Sequence, residues 1–150
     1  MTLIFALMAA IAPIQAGTPE WMMVGLTDNG ADGISVIFVD RASISQTPDE
    51  ASATISLIKG ENEIRPRMQF DCKGSRFRLV SAGMPDGIES SLLGWKTLGS
   101  EPSGMRTALQ YACSGGTLDL GFDPYKGPSP MPFYKLFIAL RAESGKKPSR

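Results

Sequence analysis

Short runs of β-branched and aromatic residues alternate with Gly, Asp, Asn and Pro between Glu20 and Lys96. This rhythm is typical of antiparallel strands joined by turns. Of the 150 residues, 43% are hydrophobic and 20% are charged, as expected of one packed domain. The sequence therefore predicts a fold that is mainly an antiparallel sheet.

The first two strands are predicted at residues 21–27 and 34–40, on either side of a loop rich in Gly, Asp and Asn. In the second strand, alternation places Val36 and Phe38 on one face, and Ile37 and Val39 on the other. Because both faces are apolar, we expect this strand to be central in the sheet. We also expect Asp40 and Ser43 to cap the turn that follows the strand.

The next strand, at residues 51–59, alternates apolar residues with Ser52, Thr54 and Ser56, which predicts one buried and one solvent-exposed face. The strand after it contains Pro66, which has no N–H to donate. We expect an edge or a bulge there.

Residues 65–72 and 76–81 predict a β-hairpin with Lys73 and Gly74 as a two-residue turn. This turn fixes which residues of the two strands lie opposite each other, and the resulting pairs are chemically matched on both faces of the hairpin. On the inner side it places Phe70 opposite Phe77 and Met68 opposite Leu79. On the outer side it places Asp71 opposite Arg76 and Gln69 opposite Arg78.

A last strand is predicted at residues 92–98, around Trp95, and a helix follows it. The helix is indicated by apolar residues at helical spacing between Met105 and Ala112, with Ser103 as its N-cap. It ends at Cys113, and in an exported protein Cys113 and Cys72 most simply form one disulfide, which would tether the helix to the sheet. Two free buried thiols are the alternative. The predicted fold class is thus α+β, with a disulfide-tethered helix packed on the sheet.

Residues 1–16 predict a signal peptide, because their apolar stretch at 2–12 is too short to span a bilayer and Ala16 offers a small-residue cleavage site. The exported chain would begin at Gly17, would not span the membrane, and would be periplasmic or on the cell surface. The leader has no Lys or Arg, and a buried N-terminal helix is the alternative.

Residues 114–150 predict a short C-terminal extension: a linker rich in Pro and Gly, a short helix and a disordered basic tail. In the helix Phe133, Leu136, Phe137 and Leu140 recur at positions i, i+3, i+4 and i+7. This spacing predicts that these four side chains pack on a sheet face that would otherwise be exposed.

Several of these features recur together in one known family. The shared positions are Trp21, Asp40, Ser43, Ile44, Asp71, Cys72, Trp95 and Cys113. In this pattern the chain resembles the surface-adhesin protein E-like family of small exported bacterial domains, over residues 17–113. The resemblance implies a non-enzymatic module that binds host or matrix protein. It identifies scaffold residues and no ligand-binding segment, and the chain lacks the cysteine at the cleavage site that a lipoprotein form would need.

The chain contains no histidine, which removes the commonest general base and the usual transition-metal ligand. Hydrolases of the Ser-His-Asp and Cys-His types are therefore excluded. No phosphate-binding loop or dinucleotide fingerprint occurs. We predict no catalytic residue, no cofactor and no metal site.

The candidate binding residues are basic: Arg65, Arg67, Lys73, Arg76 and Arg78. The predicted hairpin places the four arginines on one face, where guanidinium groups could bind carboxylates or sulfated sugars. The competing interpretation is a solvated sheet face that Asp71 and Glu63 partly neutralise. Because the net charge is zero, nucleic acid is not an expected partner.

The sequence thus predicts an exported binding module for a protein or acidic glycan. The alternative is a periplasmic accessory or structural protein with a partner in the bacterial envelope. A homodimer is compatible with either function.

Overall fold

The computed structural model of the protein describes residues 17–80, 94–99 and 103–145. Within these ranges the chain forms nine strands and two α-helices. They are β1 (Glu20–Asp28), β2 (Ile34–Asp40), β3 (Ser45–Gln46), β4 (Glu50–Lys59), β5 (Asn62–Ile64), β6 (Arg67–Asp71), β7 (Arg76–Val80), β8 (Lys96–Thr97), α1 (Gly104–Cys113), β9 (Tyr125–Lys126) and α2 (Met131–Ser144). The predicted signal peptide, the basic tail at 146–150, and Ser81, Leu92 and Leu93 of the predicted strands lie outside the described residues.

The strands form one antiparallel sheet in the order β8-β7-β6-β4-β2-β1-β9, and β3 and β5 also pair with β4. The predicted fold class is confirmed, and β2 is central, as its two apolar faces indicated. The region after Cys113 belongs to the same sheet, because β9 pairs with β1 at Glu20 and Trp21.

The predicted register of the β6–β7 hairpin is confirmed at all four predicted pairs, from Met68 with Leu79 to Asp71 with Arg76. The prediction of a two-residue turn is wrong, because residues 72–75 all lie outside the β6–β7 ladder. The Cys72 N–H donates instead to the Asp49 carbonyl at 2.9 Å, and the Ser75 carbonyl accepts from the Leu98 N–H at 2.8 Å. The hairpin ends are therefore bonded to neighbouring segments and not to each other.

Pro66 interrupts the ladder without changing its register. Both β5 and β6 pair with β4, and the same residue offset holds on either side of the interruption. The Pro66 carbonyl accepts from the Ile55 N–H at 2.9 Å, but proline has no N–H to return. The bulge that we offered as one alternative is therefore absent.

One face of the sheet, the α1 face, is covered by α1. Ala108, Leu109, Tyr111 and Ala112 of the helix are buried against strand residues such as Phe70. The predicted N-cap is confirmed, since the Ser103 hydroxyl accepts from the Arg106 N–H at 3.2 Å. The predicted disulfide between Cys72 and Cys113 is also confirmed, and it joins the end of α1 to the β6–β7 hairpin.

The opposite face, the α2 face, is covered in part by α2. Tyr134 packs there in a cluster with Trp21, Val36, Phe38 and Ile58. Ser56 of β4, predicted to face solvent, is fully buried on this face, so the exposed face predicted for that strand is wrong at this end. The Ser56 hydroxyl donates to Glu63 at 2.8 Å, so this buried hydroxyl has a hydrogen-bond partner.

The orientation predicted for the C-terminal helix is confirmed for Phe133, which packs against Phe38, and is wrong for Leu136 and Leu140. A helix forms and docks on the sheet, but its buried side chain is Tyr134, flanked by Phe133 and Ile138. The Tyr134 hydroxyl accepts from the Gly60 N–H at 3.0 Å and donates to the Ile34 carbonyl at 2.9 Å. These hydrogen bonds hold the helix in a rotation that leaves Leu136 and Leu140 58% and 56% exposed. No helix among the described residues is long and apolar enough to cross a membrane.

We expect loss of the disulfide to lower the free energy of unfolding by about 4 kcal/mol, because the closed loop spans 41 positions. Urea denaturation of oxidised and reduced protein measures this difference. The double variant Cys72→Ala/Cys113→Ala should match the reduced protein and should not respond to reductant. Equal midpoints for the oxidised and reduced forms would contradict a stabilising role.

Gly25 of β1 and Gly104 of α1 are in close backbone contact, since a Cβ on Gly104 would lie 2.9 Å from the Gly25 Cα. We expect Gly104→Ala to destabilise the protein by about 1–3 kcal/mol through overpacking. Alanine ordinarily stabilises a helix relative to glycine, so the sign of the effect identifies the contact. Gly99→Ala is the control, because a Cβ there meets no atom within 4 Å. Thermal denaturation compares the two variants, and a stabilised Gly104→Ala protein would refute the close approach.

Candidate functional site: an arginine face on the sheet

The four candidate arginines lie on the α2 face, beyond the part that α2 covers. Arg67 alternates along β6 with the buried residues Met68 and Phe70, which point to the opposite face. Arg78 lies on β7 opposite Gln69. We call the surface formed by Arg65, Arg67, Arg76, Arg78 and Trp95 the arginine face.

Arg76 is held by Asp71, its cross-strand neighbour. Its Nε and Nη2 donate to Asp71 Oδ2 at 3.0 and 2.7 Å. The other oxygen, Oδ1, accepts from the Gly74 and Lys73 N–H groups at 2.8 and 3.2 Å. The Gly74 amide, together with the Arg76 guanidinium, holds the pKa of the Asp71 carboxyl below its usual range. Asp71 therefore remains ionised and compensates the charge of Arg76.

Arg65 is compensated by Glu63 at the border with α2. Its Nε and Nη2 donate to the two Glu63 oxygens at 2.7 and 3.2 Å. Those oxygens also accept from the hydroxyls of Ser56 and Ser129 at 2.8 and 2.9 Å. Burial opposes ionisation of Glu63, but these hydrogen bonds outweigh it, and the pKa of its carboxyl lies below the ordinary value. The Arg65 guanidinium also lies 5.3 Å from the ring centre of Trp21, which is buried.

Arg67 and Arg78 differ from the other two arginines, because in the described part of the chain neither forms an ion pair with a carboxylate. Arg67 Nη2 donates to the Ser52 hydroxyl at 2.9 Å, and Arg78 Nε donates to Gln69 Oε1 at 2.7 Å. The Gln69 amide nitrogen in turn donates to Glu50 Oε2 at 2.6 Å. Both arginines are half-buried, and among the described residues the hydrogen-bond partner of each is neutral.

Trp95 completes the arginine face just before β8. The guanidinium carbons of Arg78 and Arg76 lie 4.6 and 5.1 Å from its ring centre. Such cation–π contacts position two flexible side chains on a rigid aromatic surface, so less conformational entropy is lost when a ligand binds. Trp95 is thus the part of this surface that the alternation of the strands did not indicate.

Lys73 does not join the arginine face. Its ammonium pairs with Asp49 at the end of the hairpin, and both side chains are largely exposed. At the β9 edge of the sheet, Arg41 and Lys126 both pair with Glu20, at 2.6 and 3.5 Å. The hydrogen bond from Arg41 is the main interaction that holds the pKa of the Glu20 carboxyl below its usual value. Lys73, Arg41 and Lys126 thus form ion pairs within the fold and are not part of the arginine face.

The remaining family-pattern residues also have structural contacts. Asp40 Oδ1 accepts from the N–H groups of Glu20 and Ala42 at 2.9 and 3.0 Å, which caps the turn after β2. The Ser43 hydroxyl donates to the Asp40 carbonyl at 2.7 Å and accepts from the Thr54 N–H at 2.8 Å. Ile44 packs against the cluster on the α1 face. The predicted turn cap is confirmed.

Cross-strand alternation was enough to place the four arginines on one face and Asp71 beside Arg76. It could not place Trp95, because that residue reaches the face only through the pairing of β8 with β7. The residues that pair there, such as Arg76 and Thr97, are far apart in the chain. It also missed the contacts of Ser52 and Gln69 with Arg67 and Arg78. Those contacts depend on β4 being the neighbour of β6.

No protein-family model, no curated protein and no solved structure matches this chain. The resemblance to the surface-adhesin protein E-like family therefore stays a prediction.

Because the pKa of Glu63 is lowered by folding, its contribution to stability is present above its unfolded pKa, near 4.5, and is lost as the pH falls through the folded pKa. We expect Glu63→Gln to reduce the drop in unfolding free energy between pH 7 and pH 3. Urea denaturation at both pH values measures it. Glu61→Gln is the control, since Glu61 is 82% exposed and forms only a surface pair with Lys135. An unchanged pH dependence in Glu63→Gln would show that its hydrogen bonds contribute little.

Proposed function

We propose that this chain is an exported, non-enzymatic binding module that resembles surface-adhesin protein E and binds an acidic protein or acidic glycan through the arginine face. The observation that supports this proposal is the adjacent pair Arg67 and Arg78. Both are half-buried, both are held by neutral partners, and neither meets a carboxylate within the described ranges.

The chemistry of this pair favours an anionic group as ligand. A guanidinium binds a carboxylate or sulfate through two parallel hydrogen bonds, and such charge-assisted bonds are stronger than neutral ones. Arg65 and Arg76 are less suitable, because Glu63 and Asp71 already occupy their donors. The proposed contact is therefore centred on β6 and β7 and flanked by Trp95.

The test is a binding measurement with matrix proteins, a sulfated glycan and polyglutamate, at low and moderate salt. We expect Arg67→Gln/Arg78→Gln to weaken binding of at least one of these probes by about tenfold or more and to reduce its salt dependence. Thermal denaturation should show a loss of only about 1 kcal/mol, because the partners that remain are neutral and partly solvated.

The matched control is Lys59→Gln/Lys126→Gln, which changes the net charge by the same amount at two exposed lysines outside the arginine face. We expect it to retain binding within about twofold, because those lysines lie beyond the proposed contact. An equal loss in both double variants would indicate diffuse charge attraction and refute a defined arginine site. Binding only to envelope fractions, with no access of external protease to the protein on intact cells, would favour the periplasmic accessory function.

A further inference from the structure

The outer edge of β1 needs an explanation, because most of it has no neighbouring strand. Strand β9 pairs only with Glu20 and Trp21, the first two of the nine residues of β1. From Met23 to Asp28 no described segment pairs with the side of β1 that faces away from β2. We call this stretch the open edge. At about 3.3 Å per residue it is about 20 Å long.

The hydrogen bonds at the two ends of β1 show which backbone groups point outward. Successive residues of a strand direct their N–H and C=O groups to opposite sides. The Pro19 carbonyl accepts from the Gly127 N–H at 3.1 Å on the β9 side, so Met23, four positions later, directs its groups to that side as well. No described residue forms a hydrogen bond with the Met23 groups there.

The bulge after Met23 shifts this alternation by one residue. At the far end of β1 the Asn29 N–H donates to the Gly33 carbonyl at 2.9 Å on the β2 side, so Leu26 and Asp28 direct their groups outward. The three outward residues lie opposite alternate residues of β2. The outward groups therefore remain evenly spaced despite the bulge, as a regular ladder requires.

An apolar cleft of about 250 Å³ lies beside the open edge, between β1, α1 and the segment that leads to β9. Thr107 of α1 lines it, together with Leu120 and Phe122 of that segment. The Phe122 side chain is 44% exposed, and residues 117–124 form no backbone hydrogen bond with the open edge. A strand added to the open edge could therefore place a side chain in the cleft.

The chemistry of the open edge indicates an extended peptide as its occupant. A strand edge presents N–H donors and C=O acceptors in a row, and the backbone of another extended chain complements both. The cleft favours an apolar side chain on that chain. A helix would leave most of the outward backbone groups without a partner, because its own backbone groups are bonded within it.

The charges beside the cleft favour a different protein over a second copy of this chain. Asp119 and Asp123 lie in the segment that lines the cleft, are exposed, and form no ion pair among the described residues. Asp123 is within electrostatic reach of Arg41, whose guanidinium is already paired with Glu20 at 2.6 Å. Antiparallel pairing with a second copy would bring Asp28 of that copy towards Asp123, and neighbouring like charges oppose such pairing. A partner segment with basic residues is favoured instead.

We propose that the open edge binds an extended segment of another protein by strand addition, and that this segment carries apolar residues at alternate positions together with Lys or Arg. Main-chain hydrogen bonds to Met23, Leu26 and Asp28 would supply affinity, and the cleft with its two aspartates would supply specificity. The open edge and the arginine face lie towards opposite ends of the strand order, so they are separate sites.

The test uses the oxidised chain from Gly17 to Arg150, which contains every described element, and a short blocked peptide that alternates Val and Lys. Titration followed by amide NMR should show saturable binding. In the complex, hydrogen exchange of the Met23 and Leu26 amides should slow by about tenfold or more, because a hydrogen-bonded amide exchanges only when its bond opens.

Two methylated forms of the peptide test the strand geometry. Methylation of the backbone nitrogens of all lysines removes the donors along one edge of the peptide, and methylation at all valines removes those along the other. With the valines directed to the cleft, only one edge can face β1. One methylated peptide should therefore bind about tenfold or more weakly, while the other should bind within about threefold of the parent peptide.

Variants of the protein test the cleft. Phe122→Ser should weaken peptide binding by about fivefold or more, because the cleft loses an apolar wall. Leu136→Ser is the matched control, since Leu136 is 58% exposed and lies on α2. Asp119→Asn/Asp123→Asn should weaken binding by about threefold and lower its salt dependence.

Three results would overturn strand addition at the open edge. The first is no saturable binding of the peptide, and the second is an equal loss of binding with both methylated forms. The third is a dimer, seen by light scattering, in which the Met23 and Leu26 amides are protected without peptide, because that would make the open edge a self-association surface. Arg67→Gln/Arg78→Gln should bind the peptide as the parent chain does, so failure of the arginine site and failure of the open edge are distinguishable.

Discussion

The structure depends on a sheet whose central strands are apolar on both sides. In β2, Val39 packs toward α1 while Val36 and Phe38 pack toward α2. Each exposed face would leave large side chains in water, at a cost of about 1.5–3 kcal/mol for each one. The chain therefore needs two covers, and it supplies them from its second half. One is the disulfide-bonded helix α1, and the other is α2 with the segment that includes β9.

The second cover extends over only part of its face of the sheet. The arginine face lies on the part that it leaves uncovered. Helix α2 reaches the β1, β2 and β4 part of the sheet, where Tyr134 packs with Trp21, Phe38 and Ile58. Beyond Glu63 the same face continues over β6 and β7 with residues that are polar or charged apart from Val80, which lies opposite Arg67. Glu63 lies at the border, and its carboxylate connects Arg65 on one side with Ser129, just before α2, on the other. The partly buried Glu63 carboxylate thus separates the apolar half of the face from the basic half.

Within the basic half, the register of the strands sets which arginines pair with a carboxylate among the described residues. The β6–β7 pairing places Asp71 opposite Arg76 but Gln69 opposite Arg78. The β4–β6 pairing places Thr54 opposite Arg67, and the Arg67 side chain reaches Ser52. A carboxylate at position 69 or 52 would have neutralised the pair. The neutral residues there are what distinguish this face from an ordinary salt-bridged surface.

Sequence reasoning was accurate where the relevant contacts are close along the chain. Alternation with period two predicted the β6–β7 register, because a slip by one residue would have moved Phe70 and Phe77 into water. The Ser103 cap, the helix after it and the turn at Asp40 also depend on neighbouring residues. The rotation of α2 was beyond such reasoning, since the helical spacing fits two opposite faces and the buried one is selected by Tyr134 through partners at positions 34 and 60.

The sequence by itself therefore determined the main strands, the hairpin register and the presence of two helices, because periodicity, turn residues and capping act over a few positions. It indicated the disulfide because the chain has only two cysteines. The tertiary structure alone decided which arginines lie beside a carboxylate of the described chain, where Trp95 lies and which side of α2 faces outward. Those features depend on contacts between residues far apart in the chain, and the order of strands in the sheet is what brings them together.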